Sequence, residues 1–163
     1  MTRRPLSGGF LFSGLHLSSP SFTQSKSKLI NALSVGDLLQ AGERVRQFML
    51  RFPDKPEAHY FSGLHSLLAR ENEKAAQQLE VALGFDDKNL NVLLNLGVAY
   101  QRLGKMVAAT QAYLAVLAIE PDHIQALINL GSCHYQKKSF LECKEAFSKA
   151  ASLAPDNSTV ISG

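Results

Sequence analysis

The feature that most constrains this chain is a period of 34 residues. Pro53, Pro121 and Pro155 fall on one grid of that spacing, and Asp87 stands at the grid point without a proline. Between grid points the residues recur. Leu93-Leu94-Asn95-Leu96-Gly97 returns as Leu127-Ile128-Asn129-Leu130-Gly131, Ala112-Tyr113 returns as Ala146-Phe147, and Pro121-Asp122 returns as Pro155-Asp156. A fixed period of about 20 to 50 residues means stacked supersecondary units rather than one globular core. Arrays of this kind mostly bind other proteins, so the period indicates a class of activity and leaves the partner open.

From Phe22 onward the apolar spacing is helical. It predicts eight helices in four hairpins, at 24–34 with 37–51, 57–70 with 73–84, 90–103 with 106–119, and 124–137 with 140–153. Gly36-Asp37 and Gly104-Lys105 supply turn residues between the helices of a pair. A proline closing a unit cannot continue a helix, and Asn89 is the clearest cap for the helix that follows. Gly63, Gly97 and Gly131 stand in mid-helix, where glycine costs up to ~1 kcal/mol against alanine. The expected compensation is close approach of the second helix of each pair. Small residues Ala75, Ala109 and Cys143 stand at the facing phase, and Leu79, Tyr113 and Phe147 act as large knobs between them.

These readings predict an all-α solenoid of about four helix-turn-helix units: a degenerate one at 22–55, then 56–89, 90–123 and 124–157. Residues 1–21 read as a flexible or targeting leader, and 158–163 as the truncated start of a further helix or a tail. The leader is rich in serine, glycine and arginine and has no acid, a composition found in organelle transit peptides.

Charge narrows the partner class. The 17 Lys and Arg exceed the 14 Asp and Glu. Arg3, Arg4, Lys26 and Lys28 all precede the first acid, Asp37, so the array itself is nearly neutral. That argues against nucleic acid, whose phosphates call for clustered basic residues. No run approaches the ~20 apolar residues of a membrane span. Cys133 and Cys143 do not make a disulfide framework and read as reduced thiols. The expected location is intracellular and cytoplasmic, with organelle import as the alternative carried by the leader.

The unit layout resembles the tetratricopeptide repeat. Residues 90–123 match its signature at Leu93, Leu96-Gly97, Tyr100, Ala109, Tyr113 and Pro121. Residues 124–157 match at Leu127, Leu130-Gly131, Phe147, Ala150 and Pro155, with His134 where tyrosine is usual. Residues 56–89 keep Gly63, Ala75, Leu79 and Ala82 but carry Ser62 for leucine and Asp87 for proline, while Leu29 occupies the glycine position of the first unit. The resemblance implies a right-handed solenoid and a concave groove, lined by the first helices of the pairs, for a peptide or partner helix. By phase that groove carries Tyr60, Leu64, Leu94, Asn95, Val98, Gln101, Arg102, Ile128, Asn129, Ser132, Tyr135 and Gln136. Asn95 and Asn129 resemble the asparagine ladder of groove binders, since an amide both donates to and accepts from an extended peptide backbone. Only Arg102 stands where a carboxylate-clamping cation is needed, which argues against an acidic C-terminal tail as the ligand.

No motif carries catalysis. Cys133-His134 with Cys143 lacks the paired short spacings of a zinc site, and no phosphate loop, serine elbow or dinucleotide fingerprint is present. The chain therefore reads as a non-enzymatic protein-interaction scaffold without metal or cofactor. The alternatives are the repeat segment of a larger multidomain protein, such as a glycosyltransferase, or an organelle assembly factor. The apolar stripe of the last helix adds one expectation, end-to-end homodimers.

Overall fold

The computed structural model describes residues 20–153, and within them the chain is helical almost throughout. The leader, apart from Pro20 and Ser21, and the segment 158–163 lie outside the described residues. Eight helices follow in order: α1 (Phe22–Val35), α2 (Leu38–Arg51), α3 (Pro56–Leu68), α4 (Asn72–Leu83), α5 (Leu90–Arg102), α6 (Met106–Ile119), α7 (Ile124–Gln136) and α8 (Phe140–Leu153). Each boundary falls within two residues of the one predicted from apolar spacing. Caps explain several starts. Ser21 accepts from the Gln24 amide at 3.3 Å, Asp37 from Gln40 at 2.9 Å and Asn89 from Val92 at 3.2 Å. His123 takes the same place for α7, its Nδ1 accepting from the Ala126 amide at 3.2 Å.

The turns inside the hairpins share one backbone conformation. Gly36 and Gly104 have φ of 79° and 73°, and Arg70 and Lys138, at the same phase, have φ of 61° and 60°. The left-handed region favours glycine, so in two of the four turns a residue with a Cβ is held there. Only the two glycine turns carried a turn residue in the sequence.

Packing is strictly between neighbours. α1 pairs with α2, α3 with α4, α5 with α6 and α7 with α8, and each second helix also packs on the first helix of the next pair. First helices meet in turn, α3 on α5 and α5 on α7. The core is accordingly a row of clusters. Phe22, Phe48, Phe52 and Phe61 gather at one end with ring centroids 5.0 to 5.9 Å apart. Leu79, Ala82, Val92 and Leu96 follow, then Tyr113 with Leu130 and Cys133, then Leu127 and Ile128 with Ala150.

The mid-helix glycines meet the knobs directly, and Gly63 also meets the Ala75 carbonyl, at 3.3 Å from where its Cβ would stand. A Cβ on Gly63 would lie 2.6 Å from Leu79 Cγ, one on Gly97 would run into the Tyr113 ring, and one on Gly131 would meet three Phe147 ring carbons at 3.1 Å. The missing side chain is the socket for the partner's knob. Leu29 has no such socket to offer and is itself fully buried beside Val45 and Phe48.

Candidate ligand groove

Four first helices at a 34-residue phase put equivalent positions on one face of the array. Along this face the character changes from unit to unit. In α1 and α3 it shows Ile30, Leu33, Leu64 and Leu68. In α5 and α7 the corresponding positions hold Val98, Gln101, Arg102, Ser132, Tyr135 and Gln136.

The apolar half is open. A cleft of about 740 Å3 runs between α1, α3, the α4–α5 turn and the start of α5. Its floor is Ile30, Leu33, Tyr60, Phe61, Leu64 and Leu68, and its rim carries Lys26, Glu57, Asp86, Asn89 and Asn91. That volume is within the range of ligand clefts, roughly 300–1,000 Å3. Ile30 and Leu68 are each 47% exposed. Lys26 and Glu57 face each other at 3.3 Å and offset one another's charge. Burial pushes the Tyr60 phenol above its ordinary range, and the Asn95 amide beside it acts in the opposite direction.

The polar half is latched to itself. Gln101 Nε2 donates to Ser132 Oγ at 3.1 Å and Tyr113 OH donates to Gln101 Oε1 at 3.1 Å. Arg102 donates to the Leu67 carbonyl at 2.8 Å, so the guanidinium ties α5 to the end of α3. Burial, and behind it the Cys133 sulfur, pushes the Tyr113 phenol well above its ordinary range.

The residues expected in the groove therefore divide. Tyr60 and Leu64 line the cleft. Leu94 and Val98 are partly buried against the Tyr113 cluster, and Ile128 is buried with Leu127 and Ala150. Asn95 and Asn129 are half-buried, and each already holds one bond within its own helix. Asn95 Nδ2 donates to the Asn91 carbonyl at 2.8 Å, and Asn129 Oδ1 accepts from Gln125 at 3.0 Å. Gln136 is exposed. Tyr135 is exposed too, but its ring lies 6.3 Å from that of Phe140, and it lines a separate cavity of about 340 Å3 with Cys143, Lys144 and Phe147.

The α1 wall was missed in the sequence, although the period points to it. Lys26, Ile30, Leu33 and Ser34 lie 34 residues before Tyr60, Leu64, Leu67 and Leu68. Leu29 at the glycine phase obscured that unit. Among the described residues no group of three or more His, Cys, Asp or Glu is placed to hold a metal ion. No described helix is long and apolar enough to cross a membrane. Both cysteines are free and buried, and burial pushes the Cys133 thiol up.

No curated protein matches this sequence. Several solved structures share the fold. MamA superposes with a TM-score of 0.74 at 21% identity, over 83% of this chain and 79% of that one. YrrB, described as a tetratricopeptide repeat protein with an unusual peptide-binding site, gives a TM-score of 0.77 at 16% identity, over 87% and 73%. The first such domain of Spaghetti (RPAP3), bound to the HSP90 peptide SRMEEVD, gives a TM-score of 0.64 at 18% identity, over 66% and 86%. Family models described as tetratricopeptide repeat match residues 29–89, 90–123 and 124–157. With the paired helices, the glycine sockets and these matches in register, the chain belongs to the tetratricopeptide repeat family.

Proposed function

We propose that this protein is a non-enzymatic interaction scaffold that binds a peptide or partner helix along the face shared by α1, α3, α5 and α7. The observation that carries the reading is the open, apolar-floored cleft of about 740 Å3 on that face. Two of the structurally similar proteins are described as having a peptide site or a bound peptide, which supports the same class of ligand. In this reading Asn95 and Asn129 use their remaining amide capacity on the ligand main chain.

The test is selection of binders from a random dodecapeptide display library, followed by anisotropy with the selected peptides. Two neutral hydrogen bonds are worth roughly 1–3 kcal/mol together, so the Asn95→Ala, Asn129→Ala double variant is expected to weaken binding about tenfold. Helical circular dichroism stays unchanged. Binders indifferent both to that pair and to Leu64→Glu would place the ligand off this face.

End-to-end pairing has its own observation. Phe140 and Leu141 in α8 are 63% and 69% exposed beside the 340 Å3 cavity. At the other end, α1 carries exposed Lys28 and Asn31 where α7 buries Leu130 and Cys133. At these two positions α1 offers α8 polar groups, so the self-complementary arrangement is α8 against α8 about a two-fold axis. Sedimentation equilibrium is expected to show a dimer that Phe140→Ser, Leu141→Ser converts to a monomer. A parent chain that stays monomeric at high micromolar concentration refutes the pairing.

A further inference from the structure

The cleft has a chemical preference, and it deepens the groove reading on which it rests. An acidic tail ending in a carboxylate would need free cations on this face. Among the residues lining the cleft Lys26 is the only cation, and it sits 3.3 Å from Glu57. Arg102, the other cation on the face, is drawn away to the Leu67 carbonyl at 2.8 Å. Arg102 keeps its charge and its other N–H groups but lies outside the residues that line the cleft, so the cleft itself offers a carboxylate no unpaired cation.

The uncommitted groups are of the opposite kind. Ile30 and Leu68 stand half in water on opposite walls, one on α1 and one on α3, with Leu33 and Leu64 between them. Adjacent large apolar side chains left exposed in a concavity mark a recognition surface. At the rim formed by the helix starts, Glu57 offsets Lys26, which leaves the Asp86 carboxylate as the net charge of the lining. Asp86 accepts only a local bond from the Lys88 amide, at 3.1 Å. From Glu57 to Leu68 the α3 wall is about 16 Å long at 1.5 Å per residue, which spans about five extended residues or three helical turns.

We propose that the occupant is a partner peptide carrying two or three bulky aliphatic or aromatic side chains with a lysine or arginine beside them. The apolar side chains fill the floor between Ile30, Leu64 and Leu68, and the cation lies at Asp86. A terminal carboxylate plays no part in the recognition.

The library that tests the groove tests this as well, by the composition of what it yields and by variants confined to the cleft. Selected peptides are expected to be enriched in Leu, Ile or Phe next to Lys or Arg. Burying one aliphatic side chain less corresponds to about tenfold to a hundredfold in affinity, so Leu68→Glu and Ile30→Glu are each expected to cost at least tenfold. Asp86→Lys is expected to cost roughly threefold to tenfold for basic binders, and less as salt is raised. Circular dichroism of each variant reads its folding independently. If the library yields acidic peptides that still compete at Leu64, the groove stands and this chemistry is overturned. If binders respond to Val98→Glu but not to Leu68→Glu, the site lies in the latched half and the placement is overturned. If the full chain binds nothing until Phe10, Leu11 and Phe12 are replaced by serine, the cleft serves the chain's own N-terminal segment and the partner assignment is overturned.

Discussion

Gly97 and Gly131 occupy the same repeat position, yet the same substitution should act on them with different outcomes. Alanine in place of a mid-helix glycine gains up to ~1 kcal/mol of helix propensity at either site. At Gly97 the added Cβ runs into the Tyr113 ring, with Cδ1 and Cζ at 2.8 Å. Tyr113 is fully buried, and its hydroxyl is held by Gln101, which is held in turn by Ser132. Moving the ring costs about 1–3 kcal/mol of overpacking. It also puts at risk a hydrogen bond worth about 0.5–1.5 kcal/mol. The balance is a loss of about 2 kcal/mol for Gly97→Ala, or roughly 4–8 °C in melting temperature for a chain of this size. At Gly131 the nearest atoms are three Phe147 ring carbons at 3.1 Å. That ring lines the open cavity at the end of the array and has room to give by a few tenths of an ångström. Gly131→Ala is therefore expected to stay within about 0.5 kcal/mol of the parent, because propensity and crowding nearly cancel. Urea and thermal unfolding followed by circular dichroism at 222 nm read both variants. A sharper arm uses the Tyr113→Ala background, in which the knob is gone and Gly97→Ala should become stabilising by about the propensity term. Equal behaviour of the two alanine variants, or no sign reversal in that background, refutes the socket argument.

Two further outcomes follow from other parts of the molecule. Arg70→Gly and Lys138→Gly should raise the unfolding midpoint, each by up to about 1 kcal/mol, since both residues hold a left-handed turn that costs a side chain about that much; a lowered midpoint for both would show that the side chains contribute more than the strain they carry. Burial, with the Glu80 hydrogen bond and charge behind it, pushes the Tyr100 phenol up to about 12. The folded chain thus keeps a proton that the unfolded chain loses near pH 10, and this contribution to stability is whole below pH 10 and declines toward pH 12. Urea midpoints at pH 9 and 11 should differ more for the parent than for Tyr100→Phe, and equal differences would remove the tyrosine from the account.

The architecture was legible in the sequence because its determinants are local or repeat at a fixed offset. Asn89 caps α5 through an amide three residues away, Gly36 and Gly104 turn the chain on their own, and the knobs Leu79, Tyr113 and Phe147 stand at a constant distance from the glycines that receive them. Two of the turns were less legible, since Arg70 and Lys138 show no sign of a left-handed backbone and only the phase of Gly36 and Gly104 betrays it. The candidate site was legible only as a face. Tertiary structure decided which of its groups are free. Arg102 reads as a wholly free cation until the Leu67 carbonyl, 35 residues earlier, takes one of its five N–H groups. Gln101 reads as a ligand contact until Ser132, 31 residues later, and the Tyr113 hydroxyl occupy both ends of its amide. Lys26 reads as one of four basic residues ahead of the first acid until Glu57, 31 residues on, sits opposite it. Hydrogen-bonding capacity is a quantity that neighbours consume, and here the neighbours come from adjacent repeats. The period sets which positions share the face, and the contacts between repeats leave the apolar cleft of α1 and α3 as its open part.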